Sequence, residues 1–200
     1  MNDLRIDVTP PPLSGARRSE LRSAAPLEIS AGETAPTPPS TPPSRPRRSG
    51  TSPRRELYQR FWAPVLQDLR RATPDSHVPA LAPRNWVPLP CGLGRTGYAI
   101  AFASDKRLRA ELYVDAKTHD LQRGLWAHFV GSRMQIEARF GRPLVWEELP
   151  DRRASRIATY YPGDAEITNE RDWPRYRSWA VDSYVRLRTA IEPLLHALVR

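Results

Sequence analysis

A regular apolar pattern begins at Leu57, where Leu57, Tyr58, Phe61, Trp62, Val65, Leu66 and Leu69 recur at three- and four-residue steps. That spacing lines one face of an α-helix. Pro64 lies inside the run; it has no amide hydrogen and its ring crowds the carbonyl four residues earlier, so a kink or a restart is expected there. Pro74 and Asp75 end the segment. Trp86, Val87 and Leu89 then read as a short edge strand, because Pro88 and Pro90 cannot donate to a ladder. Gly92, Gly94 and Gly97 mark the turn after it.

Strict alternation follows. Tyr98, Ile100 and Phe102 alternate with Gly97, Ala99 and Ala101; past a turn at residues 104–107, Leu108, Ala110, Leu112 and Val114 alternate with Arg109, Glu111, Tyr113 and Asp115. This period predicts two paired strands with one face buried. Leu121, Leu125, Phe129, Ile136 and Phe140 return to near-helical spacing and predict one long helix, stopped by Gly141 and Pro143. Residues 144–149 and 155–161 read as a second hairpin. Asp172 is then expected to cap a final helix carrying Trp173, Tyr176, Ala180, Leu187, Ile191, Leu194 and Leu198.

The order α-β-β-β-α-β-β-α, with strands joined as hairpins, predicts an α+β domain over residues 55–200. Its mostly antiparallel five-stranded sheet should carry helices mainly on one face and leave the other more polar. Function is to be sought on that open face. Residues 1–54 have a different character: Pro, Ser, Thr, Ala and Arg dominate, and every Trp, Tyr and Phe lies at Tyr58 or later. So few large apolar side chains cannot offset the entropy of ordering the chain, which predicts a disordered Pro/Arg-rich arm. Its densest part, PTPPSTPPSRPRR at residues 36–48, favours polyproline II. It reads as a solubilising linker, or as a ligand for an aromatic groove that would make the chain a protein-interaction adaptor.

With 31 Lys and Arg against 22 Asp and Glu and a formal net charge of +9, the surface should attract polyanions, nucleic acid above all. The cations are nearly all arginine, which suits forked contacts to phosphate and also follows from GC-rich coding. One cysteine, Cys91, excludes an intrachain disulfide and a multi-cysteine zinc site. Four scattered histidines show no metal-ligand spacing. The first twelve residues carry charges and three prolines where a signal peptide needs an apolar run, and no stretch is long and apolar enough to span a bilayer. A cytoplasmic protein without a membrane partner is expected.

Several segments carry a family resemblance: Phe61-Trp62, Gly94-Arg95-Thr96-Gly97-Tyr98, Glu111-Leu112-Tyr113-Val114, the run WEELP at residues 146–150 with RRASRI at 152–157, and Asp172-Trp173 with Trp179. Together they make the chain similar to the bacterial and archaeal domain of unknown function family 4268, from Leu57 to the C-terminus. Members of that family often follow a restriction-nuclease-like domain, so the resemblance implies a role beside nucleic acid or a nucleic-acid-processing partner, with defence as one setting. The proline-rich arm stands here in place of such a domain.

Candidate chemistry divides accordingly. A Mg²⁺-dependent restriction-type nuclease would need carboxylates to hold the ion and a lysine to favour the attacking water, for which Asp105, Asp115 and Lys117 are the candidates. As plain structure, Asp105 is a turn residue, and Asp115 and Asp120 are polar residues near the start of a helix. On the expected open face, Arg109, Glu111 and Tyr113 can meet Arg156, as part of a ligand site or as a buried ion pair. Arg152, Arg153 and Arg156 offer cationic forks for a phosphate backbone, or form a solvated turn. Tyr113, Trp146, Tyr160 and Tyr161 could stack bases if they face outward, and are core residues if they do not. The pattern C-G-L-G-R-T-G at residues 91–97 precedes a strand rather than a helix and is read as a turn, not a nucleotide loop. The expectation is a noncatalytic module that binds nucleic acid or a nucleic-acid-processing partner, without zinc, a thiol nucleophile or any other cofactor.

Overall fold

The computed structural model describes residues 52–149, 152 and 154–199. Helix α1 (Pro53–Ala72) is followed by strands β1 (Trp86–Pro90), β2 (Gly97–Phe102) and β3 (Leu108–Val114). Helices α2 (His119–Gly131) and α3 (Arg133–Phe140) come next, then β4 (Val145–Leu149) and β5 (Ala154–Tyr160). A short 3-10 turn (Glu170–Asp172) leads into α4 (Trp173–Val199). The predicted arm lies outside the described residues up to position 51.

The five strands form one sheet in the order β1-β2-β3-β5-β4, every neighbouring pair antiparallel. Two hairpins, β2-β3 and β4-β5, are joined along β3 and β5, with Leu112 opposite both Tyr98 and Ile157. This register sends Tyr98, Ile100, Phe102, Leu108, Ala110, Leu112, Val114 and Ile157 to one face, and all are buried there. β1 is an edge, as Pro88 and Pro90 require.

The helices cover that apolar face. Phe102 sits at the meeting point: the rings of Tyr58, Phe61, Trp62 and Tyr176 surround it at centroid distances of 5.1 to 6.1 Å. α1 brings Phe61, Trp62, Val65 and Leu69 to this core, and α4 brings Tyr176, Ala180, Tyr184, Leu187 and Ile191 at helical spacing. Charges clamp the two helices from outside. Arg177 of α4 grips Asp68 of α1 with two hydrogen bonds of 2.6 and 2.7 Å, and Arg188 holds Asp75 beyond the end of α1 at 2.6 Å. Among the described residues no helix is long and apolar enough to cross a membrane.

Of the kink or restart expected at Pro64, the restart does not occur: α1 is one helix from Pro53 to Ala72. Pro64 lies off the fully buried stripe, so the tertiary packing of Trp62, Val65 and Leu66 on either side of it outweighs the hydrogen bond it cannot make. The single long helix expected from Leu121 to Phe140 is two helices, divided at Ser132, which ends α2 and starts α3. The buried positions of α2 are Gln122 and Phe129, while Leu121 is exposed; Gln122 takes an inward place because its amide donates to the Ser155 hydroxyl at 2.9 Å. Asp172 immediately precedes α4, the position expected of its cap, and its carboxylate accepts from the Asn169 amide at 2.6 Å within the 3-10 turn that feeds the helix. The predicted stop at Gly141 holds, in the left-handed conformation at φ 87° that favours glycine.

Glu137 of α3 ties the helical layer to the sheet edge. Its Oε1 accepts from Leu144 N–H, Trp146 Nε1 and Arg133 Nε at 2.9 to 3.1 Å. Partial burial works against its ionisation, but the backbone bond, the indole and the guanidinium outweigh it and hold the carboxyl below its ordinary value of 4.5. A carboxylate with a depressed folded-state pKa stabilises at neutral pH, and that contribution is lost as pH falls below 4.5 through the folded value. Glu137→Gln should therefore lower stability at pH 7 by about 1.5 kcal/mol, with the difference from wild type shrinking in acid, as read by thermal melts from pH 7 to 3. Leu112→Ala, at a fully buried position in the central strand, should cost about 3 kcal/mol in urea unfolding.

Candidate nucleic-acid interface

Every second residue of the sheet points away from the helices. On β2 these are Gly97, Ala99 and Ala101, flanked by Trp86, Pro88 and Pro90 of β1 and by Arg109, Glu111 and Tyr113 of β3. β5 adds Ala158 opposite Glu111, Arg156 opposite Tyr113 and Tyr160 opposite Arg109. Small residues on β2 between larger ones on both sides make a trough. Ala99 and Ala101 are only 7% and 5% exposed although they face away from the described helices, and the longer side chains of β1 and β3 wall them on both sides. The resulting groove encloses about 760 Å³, and Arg95 and Arg152 also line it.

The centre is an ion network. Glu111 is 5% exposed and lies between two arginines: its Oε2 is 2.7 Å from Arg109 Nε and 2.5 Å from Arg156 Nε. Both contacts are off the hydrogen-bond line, which makes them ion pairs held by charge rather than by aligned donors. Arg156 Nη1 donates to Glu147 Oε2 at 3.0 Å, and the Tyr160 hydroxyl lies 3.2 Å from the same oxygen. Desolvation disfavours the charged form of Arg156, but Glu111 foremost, with Tyr160 and Glu147, raises its pKa above the ordinary arginine value. The guanidinium of Arg107 covers Tyr160 at 4.3 Å from the ring centre.

The sequence-predicted residues therefore separate into groups. Arg109, Glu111, Tyr113 and Arg156 are brought together on the open face, as the strand alternation required, and Arg152 of the β4-β5 connection lines the same groove. Arg109 and Arg156 are committed to carboxylates there, whereas Arg152 is exposed. Arg153 lies outside the described residues. Of the aromatic candidates, Tyr113 faces the groove. Tyr160 faces the same way but is occupied by Glu147 and Arg107. Trp146 bonds Glu137 and packs against Trp126 at 5.7 Å on the helical side. Tyr161 packs against Tyr176 and Trp179.

The nuclease candidates are not assembled. Asp105 sits in the β2-β3 turn and Asp115 just past the far end of β3, which places them on the order of 20 Å apart along a strand. Asp105 is paired with Arg107, and this contact lowers its pKa against the opposing effect of desolvation. Asp115 is a clasp: its carboxylate meets Arg95 at 2.8 Å, and its backbone exchanges hydrogen bonds with the Thr96 hydroxyl at 2.8 and 3.3 Å. Lys117 is exposed beyond it. Among the described residues no three His, Cys, Asp or Glu side chains gather as a metal site would need. Cys91 donates to the Thr96 carbonyl at 3.3 Å, and burial pushes its thiol pKa up.

Two groove residues escaped sequence reading. Trp86 is 40% exposed and lies opposite Ala101; its outward direction follows from Val87 and Leu89 facing the core, a signal the edge strand already contained. Arg95 had no such signal, because its place depends on the loop clasp to Asp115.

The profile of the family described as Domain of unknown function (DUF4268) matches residues 57–195, and the chain belongs to that family. Neither a curated protein nor a solved structure matches it.

Removing the charge at the centre of the ion network takes Glu111 from Arg109 and leaves Arg156 with Glu147 alone. Glu111→Gln should destabilise the domain by about 3 kcal/mol, seen as a lower urea midpoint with an unchanged slope; a slope change would mean that the sheet itself had loosened.

Proposed function

We propose that this domain is a noncatalytic module that binds nucleic acid through its open sheet face. The observation that carries the reading is the gathering of Arg95, Arg109, Arg152 and Arg156 around one groove with a recessed floor of glycine and alanine. Such a surface offers forked donors suited to phosphate, over backbone that a ligand can approach closely.

The charge distribution supports the same reading. Residues 1–51 hold seven arginines against five acidic residues, so most of the +9 excess belongs to the rest of the chain. Within the groove the cations have two jobs. Arg109 and Arg156 are held by Glu111 and Glu147 and act as scaffold. Arg152, which is exposed, and Arg95, whose side chain is 60% exposed beside Asp115, are placed to meet phosphates. Binding through a few such contacts is dominated by counterion release and falls steeply with salt.

The test is fluorescence anisotropy of labelled single- and double-stranded oligonucleotides at about 50 and 200 mM salt. Arg95→Glu/Arg152→Glu should weaken binding at least tenfold and reduce the salt slope by about 2, in protein that circular dichroism shows still folded, the lost Arg95–Asp115 pair lowering only its melting temperature. Unchanged affinity in a folded double variant would refute the assignment to this face.

A further inference from the structure

We propose that the groove takes the unstacked bases of a single strand, laid on the Gly97-Ala99-Ala101 floor between Trp86 and Tyr113, rather than a duplex. This rests on the nucleic-acid reading above and names the strand state and the side chains that choose it.

Three features lead there. The first is width. The floor is a single strand of small residues, and its walls are the side chains of the two adjacent strands, so the slot spans two inter-strand spacings, roughly 10 Å. A duplex meets such a slot with its phosphate backbones, its bases already paired and stacked inside. A single strand can turn its bases down onto the floor. The second is the position of the aromatic rings: Trp86 stands beside Ala101 at one end and Tyr113 beside Gly97 at the other. Neither takes part in the aromatic pairs of the core, which involve Phe61, Trp62, Phe102 and Tyr176. From Gly97 to Ala101 the floor is about 14 Å long, and aromatic residues on sheet surfaces of this kind stack roughly two or three bases.

The third feature is charge placement. Arg95 and Arg152 are the exposed cations of the groove, whereas the central arginines are neutralised by Glu111 and Glu147. Cations outside and a locally balanced, partly aromatic interior suit a ligand whose phosphates run along the rim while its neutral bases enter. A ligand that brought phosphates to the centre would find Arg109 and Arg156 already paired with carboxylates.

The experiment compares Trp86→Leu and Tyr113→Leu with wild type, using a labelled thymidine oligomer and a mixed-sequence duplex of equal length. Leucine keeps apolar contact with the floor and loses the stacking face. Each variant should bind the single strand about tenfold more weakly and the duplex as wild type does; the tryptophan fluorescence quenched by the single strand should be largely lost in Trp86→Leu. Thermal melts check that both variants remain folded. Wild-type affinity for the single strand in both leucine variants, with binding still abolished by Arg95→Glu/Arg152→Glu, overturns base stacking and leaves nucleic-acid binding intact. Duplex binding as tight as single-strand binding by wild type also overturns it. No binding of either oligonucleotide by wild type removes both proposals together.

Discussion

The placement of Glu111 between Arg109 and Arg156 is the contact on which the open face depends. A five-stranded sheet with all its helices on one side has a second side that must remain ordered without a hydrophobic cover. β3, the middle strand of five, feels this most. A carboxylate there would be costly to desolvate alone, and two arginines there would repel one another. Interleaved, with Glu147 and Tyr160 extending the chain of contacts, they shield the strand and set the height of the groove wall above the alanines of β2. The network is best understood as fixing the positions of these groups rather than as a large source of stability, because much of the Coulomb attraction offsets desolvation.

The two faces of the sheet divide the work in a way written into the period of the strands. Tyr98, Ile100, Phe102, Leu108, Ala110, Leu112 and Val114 bind the sheet to α1 and α4, and the residues between them are left to the solvent side. A one-residue slip of β2 against β3 would exchange these sets, so the aromatic cluster around Phe102 also secures the register of the groove. The small side chains at 97, 99 and 101 contribute little to the core, and their consequence is the recess itself.

How much of this was legible in the sequence follows from the range of the interactions concerned. Strand alternation depends on local geometry, and it correctly united Arg109, Glu111, Tyr113 and Arg156 on one face. The inward turn of Gln122 depends on Ser155, 33 positions away, and no local period records that partner. Trp146 looked available for stacking because strands β4 and β5 were recognised without their register; the pairing of Trp146 with Ile157 places it on the helical side. Asp105, Asp115 and Lys117 show the limit of residue types read along a chain, which carry chemistry together only if the fold gathers them, and β3 holds Asp105 and Asp115 apart.

Net charge alone would have placed binding wherever arginines are densest, at residues 45–48 or 152–156. Pairing changes that assignment. Arg156 is spent on Glu111 and Glu147, and Arg177 and Arg188 hold Asp68, Asp75 and Glu192 along the helical layer. What distinguishes Arg95 and Arg152 is exposure at the groove: Arg95 also carries an ion pair, to Asp115, but 60% of its side chain stays open to solvent. A ligand is selected there by what the centre accepts as well as by what the rim attracts: a charge-balanced centre of paired arginines and carboxylates, with a tyrosine and a tryptophan beside small residues, gains little from an anion and accommodates a flat, neutral ring.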